Sequence, residues 1–279
     1  MLKEMPKEYM KEFELSMKMG LIATIGQNKV PHITLIASLQ ANTPKQMIWG
    51  QFIEGLSKVN VKSNPKTGFL IINSNKELWR GKAIWTHEEK EGPEYEMYNS
   101  KPLYRYNSYN GIHTVHYMDL VEISEKEKLN IGAIGFGIVL TKLAKGGRIT
   151  DKKFRILKPW AEELFNKIDS LKFISHLDED GFPVIIPIIQ AQAADSSRIV
   201  FSQNPYGGEL SKIKAGKTIS ILGLKVSCEN VLVIAKFKGF ERCRGVNLGI
   251  ADIEKVYNSM PPKHGYIYPE EKLEAITEF

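Results

Sequence analysis

The chain has 279 residues, a length that corresponds to about two domains, each able to bury its own core. Apolar residues make up 43% and charged residues 25%, and no apolar run approaches the roughly 20 residues of a membrane-spanning helix. The net charge is +6, but lysines alternate with acids, as in Glu88-Glu89-Lys90-Glu91, so no basic stripe for nucleic acid emerges. Residues 1–18 lack the apolar centre of a signal peptide. These features predict a cytoplasmic protein without a nucleic-acid or membrane partner.

Strand patterns dominate the first half of the chain. Short runs rich in β-branched and aromatic residues follow an amphipathic N-terminal helix and are separated by turn sequences. One further short helix, 57–63, is stopped by Asn64-Pro65. The predicted strands are 21–25, 31–38, 47–49, 68–72, 78–85 and 112–123. About six antiparallel strands with one or two short helices predict a small closed barrel, because closure removes exposed strand edges.

A candidate anion site lies where the strand ending at Trp49-Gly50 leads through Gln51 into a helix that begins with Ser57-Lys58. The free amides and the positive dipole end of a helix favour a phosphate, to which a hydroxyl and an ammonium add a hydrogen bond and a charge. The alternative is that Ser57 caps the helix and Lys58 lies in solvent.

The stretch Trp79-Arg80-Gly81-Lys82 places two cations on one face of a predicted strand. A guanidinium suits phosphate, and the missing side chain at Gly81 lets a flat ligand or another backbone approach. The alternative is a solvated strand face.

The second half of the chain repeats the first at an offset of about 152 residues. Met47-Ile48-Trp49-Gly50 matches Ile199-Val200-Phe201-Ser202. A second Ser-Lys pair, Ser211-Lys212, falls two places out of step with Ser57-Lys58 and predicts a second helix start. The glycine-rich segment 131–147 between the repeats reverses the dinucleotide-binding glycine order and predicts a packed helix or a connector. The predicted domains are 1–128, a connector helix at 129–150, and 151–279.

The histidines and cysteines do not predict a metal site. His113 and His116 point to opposite faces of a strand, and His32 and His87 lack ligand-spaced neighbours. Cys228 and Cys243 lack a Cys-x-x-Cys spacing and are expected to be buried free thiols. An aromatic loop, Tyr104 to Tyr109, either covers a ligand or closes a domain interface.

Taken in order, these motifs resemble the pyridoxamine 5′-phosphate oxidase-like, FMN-binding split-barrel superfamily. The resemblance rests on the first strand, the Gln-Asn-Lys-Val-Pro-His turn, Ile48-Trp49-Gly50, Ser57-Lys58-Val59-Asn60 and Trp79-x-Gly. It covers most of residues 13–123 and, more faintly, 165–260. It implies a mainly β protein of two tandem split β-barrel domains that form an intramolecular pseudo-dimer, since family members are normally homodimers. A homodimer of the whole chain stays open.

The resemblance also implies a cofactor and its contacts. It assigns the FMN phosphate to Ser57, Lys58, Arg80 and Lys82, and the ribityl chain and ring to two stretches and the neighbouring tryptophan. Those further contacts are Thr34, Ile36, Ala37, Ser38, Trp49, Gly50, Gln51 and Trp79. The implied function is that of an FMN-dependent oxidoreductase acting on a small redox substrate. The alternatives are a non-catalytic FMN carrier or sensor, and a split barrel that binds haem or a deazaflavin.

The resemblance is incomplete in two places. The arginine-rich pattern of pyridoxamine phosphate oxidases proper is missing, so that activity is not implied. In the second repeat, the stretch that corresponds to Arg80 and Lys82 is Val231-Leu232-Val233-Ile234-Ala235, which is apolar. The sequence therefore predicts one degenerate site and one flavin per chain.

Overall fold

The computed structural model describes residues 1–14, 18–102, 111–150, 154–225, 227, 229–258 and 265–269. The strands of the first repeat are β1 (Lys18–Ile25), β2 (Pro31–Leu35), β3 (Gln40–Thr43), β4 (Gln46–Gln51), β5 (Lys66–Asn73), β6 (Glu77–Glu89), β7 (Thr114–Ile123) and β8 (Glu127–Lys128). Its helices are α1 (Lys7–Glu14), α2 (Leu56–Ser63) and α3 (Pro93–Ser100).

The second repeat has the same plan. The helix α4 (Ile131–Ala144) and a 3-10 turn (Lys145–Arg148) precede it. Its helices are α5 (Pro159–Asn166) and α6 (Gly207–Leu210). Its strands are β9 (Leu171–Leu177), β10 (Pro183–Pro187), β11 (Gln192–Asp195), β12 (Arg198–Ser202), β13 (Thr218–Leu224), β14 (Asn230–Cys243), β15 (Val246–Asn258) and β16 (Gly265–Tyr268).

Both repeats form an eight-stranded antiparallel sheet of one topology. The order is β2-β1-β5-β6-β7-β4-β3 in the first sheet and β10-β9-β13-β14-β15-β12-β11 in the second, with β8 and β16 as side strands. The ends of each path are neighbours in the chain, which curls the sheet. The predicted fold class, two tandem split β-barrels, is confirmed.

The first sheet is filled by apolar side chains from alternating strand positions. Trp49, Phe69 and Trp79 belong to one buried cluster, and Tyr9 and Phe13 of α1 pack on Trp79 with ring centroids 5.5 and 5.2 Å away. The amphipathic helix predicted at the N-terminus therefore closes the core over β6.

Two local predictions for the first repeat are wrong. Residues 36–39 form a turn, closed by the bond from the Leu39 amide to the Ile36 carbonyl, and do not continue the second strand. Of the turn expected at Ala41-Asn42-Thr43-Pro44, residues 41–43 belong to β3, where Asn42 donates from Nδ2 to Gln46 at 2.9 Å, and the turn itself lies at Pro44-Lys45. Pairing with β4 satisfies this backbone and outweighs the turn preference of Asn-Thr-Pro.

The glycine-rich segment forms α4, in which Gly137 is buried. A Cβ on Gly137 would lie 2.9 Å from the carbonyl oxygen of Asn204, so the glycine allows close packing. The Cys243 thiol is buried and free, and it donates to the Ala144 carbonyl at 3.3 Å. Cys228 and the tyrosine loop lie outside the described residues.

The chain divides into two compact units, residues 1–134 with 174–186, and residues 135–173 with 187–279. Segment 174–186 thus groups with the first repeat, and Lys66 of β5 donates to the Asp180 carbonyl of this segment at 2.6 Å. No helix in the described ranges has the length and hydrophobicity needed to span a membrane.

Candidate anion-binding site

The start of α2 presents a buried hydroxyl without a hydrogen-bond partner. Gly55 precedes the helix in an extended conformation, and no side chain caps the first turn. Ser57 is 1% exposed, and its Oγ makes no hydrogen bond to any described residue. The alternative that Ser57 caps the helix is therefore wrong. Buried hydroxyls are normally hydrogen-bonded, so a ligand that accepts from Ser57 would satisfy this one.

Lys58 follows Ser57 in the sequence and is also buried, so the alternative that it lies in solvent is wrong. The side chain is 7% exposed, and its Nζ lies 5.8 Å from the centroid of the Trp49 ring. Burial lowers the pKa of Lys58 to about 8, which the charge of Glu54 partly offsets. Within the described chain the ammonium makes no hydrogen bond or close ion pair, so its charge is poorly compensated.

Three other predicted residues also carry unpartnered buried atoms. The indole Nε1 atoms of Trp49 and Trp79 and the hydroxyl of Thr34 have no hydrogen-bond partner among the described residues. Thr34 lies on β2 opposite Ile22 of β1, and α2 packs on both strands. The region around α2 therefore holds three donors without a partner, on Ser57, Thr34 and Trp49, and the buried ammonium of Lys58.

The turn between β2 and β3 is tied to β4 by a side chain. Ser38 donates from Oγ to the Gly50 carbonyl at 2.8 Å and accepts from the Gly50 amide at 3.0 Å. Ile36 is buried in the core, whereas Ala37 is exposed. The Gly50 backbone and the Ser38 hydroxyl, both predicted to contact the ring of a flavin, are thus used within the protein.

Trp79, Arg80 and Lys82 are committed to other contacts. Trp79 is fully buried under α1, and Arg80 forms two hydrogen bonds to Glu127, at 3.1 and 2.8 Å. Lys82 contacts Asp178 at 2.6 Å and Glu122 at 3.1 Å, which raise its pKa against the opposing effect of burial. A phosphate at either cation would have to displace carboxylates. A Cβ on Gly81 would lie 2.3 Å from the Glu122 carbonyl oxygen, so the approaching group is a backbone.

A buried histidine that sequence reasoning did not assign to the site completes it. His116 is fully buried and stacks on Trp49, with the ring centroids 3.8 Å apart and the planes 8° from parallel. Its Nδ1 accepts from Trp85 Nε1 at 3.2 Å, and its Nε2 lies 2.8 Å from Gln51 Oε1. Gln51 in turn donates to Glu54 at 2.8 Å. No sequence signal joins these five residues, because they come from β4, β6, β7 and a loop.

In the second repeat apolar residues replace this cluster. In the strand registers, Trp49 lies opposite His116 in the first sheet, and Phe201 lies opposite Gly249 at the equivalent positions of the second. Phe201, Phe237 and Phe240 form an aromatic cluster in the second sheet. Counting on from these strands without a gap puts the buried Leu210 at the position of Lys58.

The Ser-Lys pair of the second repeat does not begin a helix, which corrects the sequence prediction. Ser211 and Lys212 follow α6 and are exposed. The register also places Leu232, opposite Leu222, and Ile234, opposite Ser220, at the positions of Arg80 and Lys82. The second sheet therefore lacks each cation of the first.

No family model and no curated protein sequence matches the chain. Solved structures similar to it include HupZ of Group A Streptococcus, at 17% identity over 43% of this chain and 92% of that chain, with a TM-score of 0.35. An FMN-binding protein from Syntrophomonas wolfei has 16% identity over 39% and 77%, with a TM-score of 0.33. General stress protein 26 from Bacillus anthracis has 12% identity over 44% and 98%, with a TM-score of 0.35. These similarities concern the fold alone.

Proposed function

We propose that the first repeat binds the phosphate of a flavin nucleotide, FMN, at the start of α2. The observation that carries this proposal is the buried Ser57 hydroxyl, which has no hydrogen-bond partner among the described residues, followed in the helix by the buried Lys58 ammonium. An anion that accepts hydrogen bonds from both would compensate the buried charge. A phosphate fits better than a carboxylate, because it has three oxygens for the hydroxyl, the ammonium and the amides of the first helical turn.

The other residues of the cluster suit a ligand with a polar and an aromatic part. The Trp49 indole N–H and the Thr34 hydroxyl are donors that a ligand can satisfy. Arg80 and Lys82 are left out of the proposed contacts, since Glu127 and Asp178 already neutralise them. When bound, a flavin supplies the redox chemistry, and the chain supplies binding and orientation.

We further propose that the protein is an oxidoreductase acting on a small redox substrate. His116 is not a candidate acid or base at neutral pH, because burial and the charges of Lys58 and Lys62 lower its pKa to about 3. The chemistry would then belong to the flavin and the substrate. A non-catalytic carrier or sensor would use the same phosphate contacts.

The phosphate assignment is tested by measuring the dissociation constants of FMN and riboflavin. Replacing Lys58 by Ala should weaken FMN about ten- to a hundredfold and leave riboflavin nearly unchanged, because one charge-assisted contact is lost. Lys212→Ala, which removes the exposed lysine of the second Ser-Lys pair, is the control and should change neither. The visible spectrum of the bound ligand distinguishes flavin from haem. Equal weakening of FMN and riboflavin by Lys58→Ala would contradict the proposal.

A further inference from the structure

The chain of side chains from Trp85 to Glu54 has one defined hydrogen-bond direction. An indole N–H can only donate, so Nδ1 of His116 must accept from Trp85. The proton of the neutral imidazole is therefore on Nε2, which donates to Gln51 Oε1. The amide of Gln51 is then left to donate to the Glu54 carboxylate, as observed.

A second carboxylate near the ring does not reverse this direction. Glu88 Oε2 lies 3.6 Å from His116 Nδ1, but its other oxygen accepts from Lys62 Nζ at 2.8 Å. A proton on Nδ1 would also set two donors, the ring N–H and the indole N–H of Trp85, against each other. The ring therefore stays neutral and keeps its Nε2–H bond to Gln51.

This hydrogen-bonded chain, which we call the Trp85–Glu54 relay, ends in the loop that leads into α2. Gln51 is the last residue of β4, and Glu54 immediately precedes Gly55, the residue before α2. The Lys58 amide donates to the Gly55 carbonyl at 3.1 Å. The bond from Gln51 to Glu54 thus closes the loop across its own length. The closed loop leads directly into the first turn of α2.

The second repeat offers a natural comparison. Gly249 stands at the position of His116 and Phe237 at that of Trp85, so no relay of this kind can form. There the helix after the strand is the four-residue α6. Loss of the relay and loss of the buried cation thus occur together.

We infer that His116 is a positioning residue, which holds the loop before α2 through Gln51 and Glu54 and so fixes Ser57 and Lys58 for an anion. The inference rests on the proposed function for the nature of the anion, but not for the existence of the relay. His116 itself does not contact the phosphate. Its two roles, stacking on Trp49 and hydrogen bonding in the relay, can be separated by substitution.

Two variants make the separation. His116→Phe keeps a ring on Trp49 and removes both hydrogen bonds, whereas His116→Gln supplies an amide that can accept from Trp85 and donate to Gln51. The readout is the ratio of the riboflavin and FMN dissociation constants, which isolates the phosphate. We expect this ratio to fall about tenfold in His116→Phe and to be largely retained in His116→Gln.

Two outcomes of this measurement would contradict the inference. If His116→Gln loses the ratio and His116→Phe keeps it, stacking matters and the relay does not. If both variants weaken FMN and riboflavin equally, His116 is merely structural. Both results overturn the inference.

A ligand-free measurement separates this inference from the proposed function. The side-chain amide signal of Gln51 in an NMR spectrum of the wild-type protein should shift in His116→Phe and stay near its position in His116→Gln. A wild-type protein that binds no flavin, with this signal pattern intact, refutes the function and leaves the relay standing. An unchanged Gln51 signal in His116→Phe refutes the relay.

Discussion

Lys58 illustrates a conflict between stability and binding at a single residue. Burial lowers its pKa from 10.5 to about 8, so the folded protein is destabilised by keeping this lysine charged at neutral pH. Between pH 8 and 10.5 the unfolded chain still holds a proton that the folded chain has released. The free energy of unfolding therefore rises with pH across this window, and the cost disappears above it.

Replacing Lys58 by Met should accordingly stabilise the ligand-free protein. The expected gain in the free energy of unfolding at neutral pH is on the order of 3 kcal/mol, and it should shrink as the pH rises from about 8 to 10.5. Urea denaturation of both proteins across this pH range measures the difference. Lys212→Met, at an exposed position, is the control and should have almost no effect. A destabilised Lys58→Met would mean that the ammonium already has a partner.

At the scale of elements, β5 and the start of β10 meet through a glycine. A Cβ on Gly68 would lie 1.9 Å from the carbonyl oxygen of Pro183, and neither backbone can give way cheaply. The adjacent Lys82 pairs with Asp178, so packing and charge fix the same contact. This explains why segment 174–186 belongs to the first compact unit.

Gly68→Ala should therefore destabilise the protein by about 3 kcal/mol or more, since two backbone segments must move apart. The matched control is Gly135→Ala in α4, where an added Cβ has no neighbour within 4 Å. That substitution should stabilise by about 0.5 to 1 kcal/mol, because alanine favours a helix. Denaturation midpoints of the two variants test this contrast, and equal effects would contradict the close approach.

At the scale of the whole molecule, the two sheets share one strand order, but the first carries a polar cluster and the second an aromatic one. The strand register puts Gly249 at the position of His116, gap-free counting puts Leu210 at that of Lys58, and the Ser-Lys pair of the second repeat is exposed. An apolar side chain at the cation position cannot hold an anion, and a lone exposed lysine gains little from a screened phosphate.

Titration calorimetry of the flavin-free protein should therefore give one FMN site per chain. Lys212→Ala should leave the affinity and the stoichiometry unchanged, because Lys212 does not begin a helix. Two equivalent sites, or binding lost only in the Lys212 variant, would show that the second repeat carries a site after all.

The sequence by itself determined the features that are local or periodic. Alternating apolar runs predicted the strands, the offset of the halves predicted two similar barrels, and Ser57-Lys58 marked a helix start. It missed α3 and placed a turn at 41–43, because pairing with neighbouring strands decides these backbones.

Only the tertiary structure decided which polar residues have partners. Arg80 and Lys82 looked as suitable for phosphate as Lys58, yet the fold pairs the first two with carboxylates and buries the third with only the charge of Glu54 nearby. The relay through His116 joins β4, β6 and β7, whose sequence separation hides their contact. Burial and charge pairing depend on residues distant in the chain, and the pattern of one segment cannot contain them.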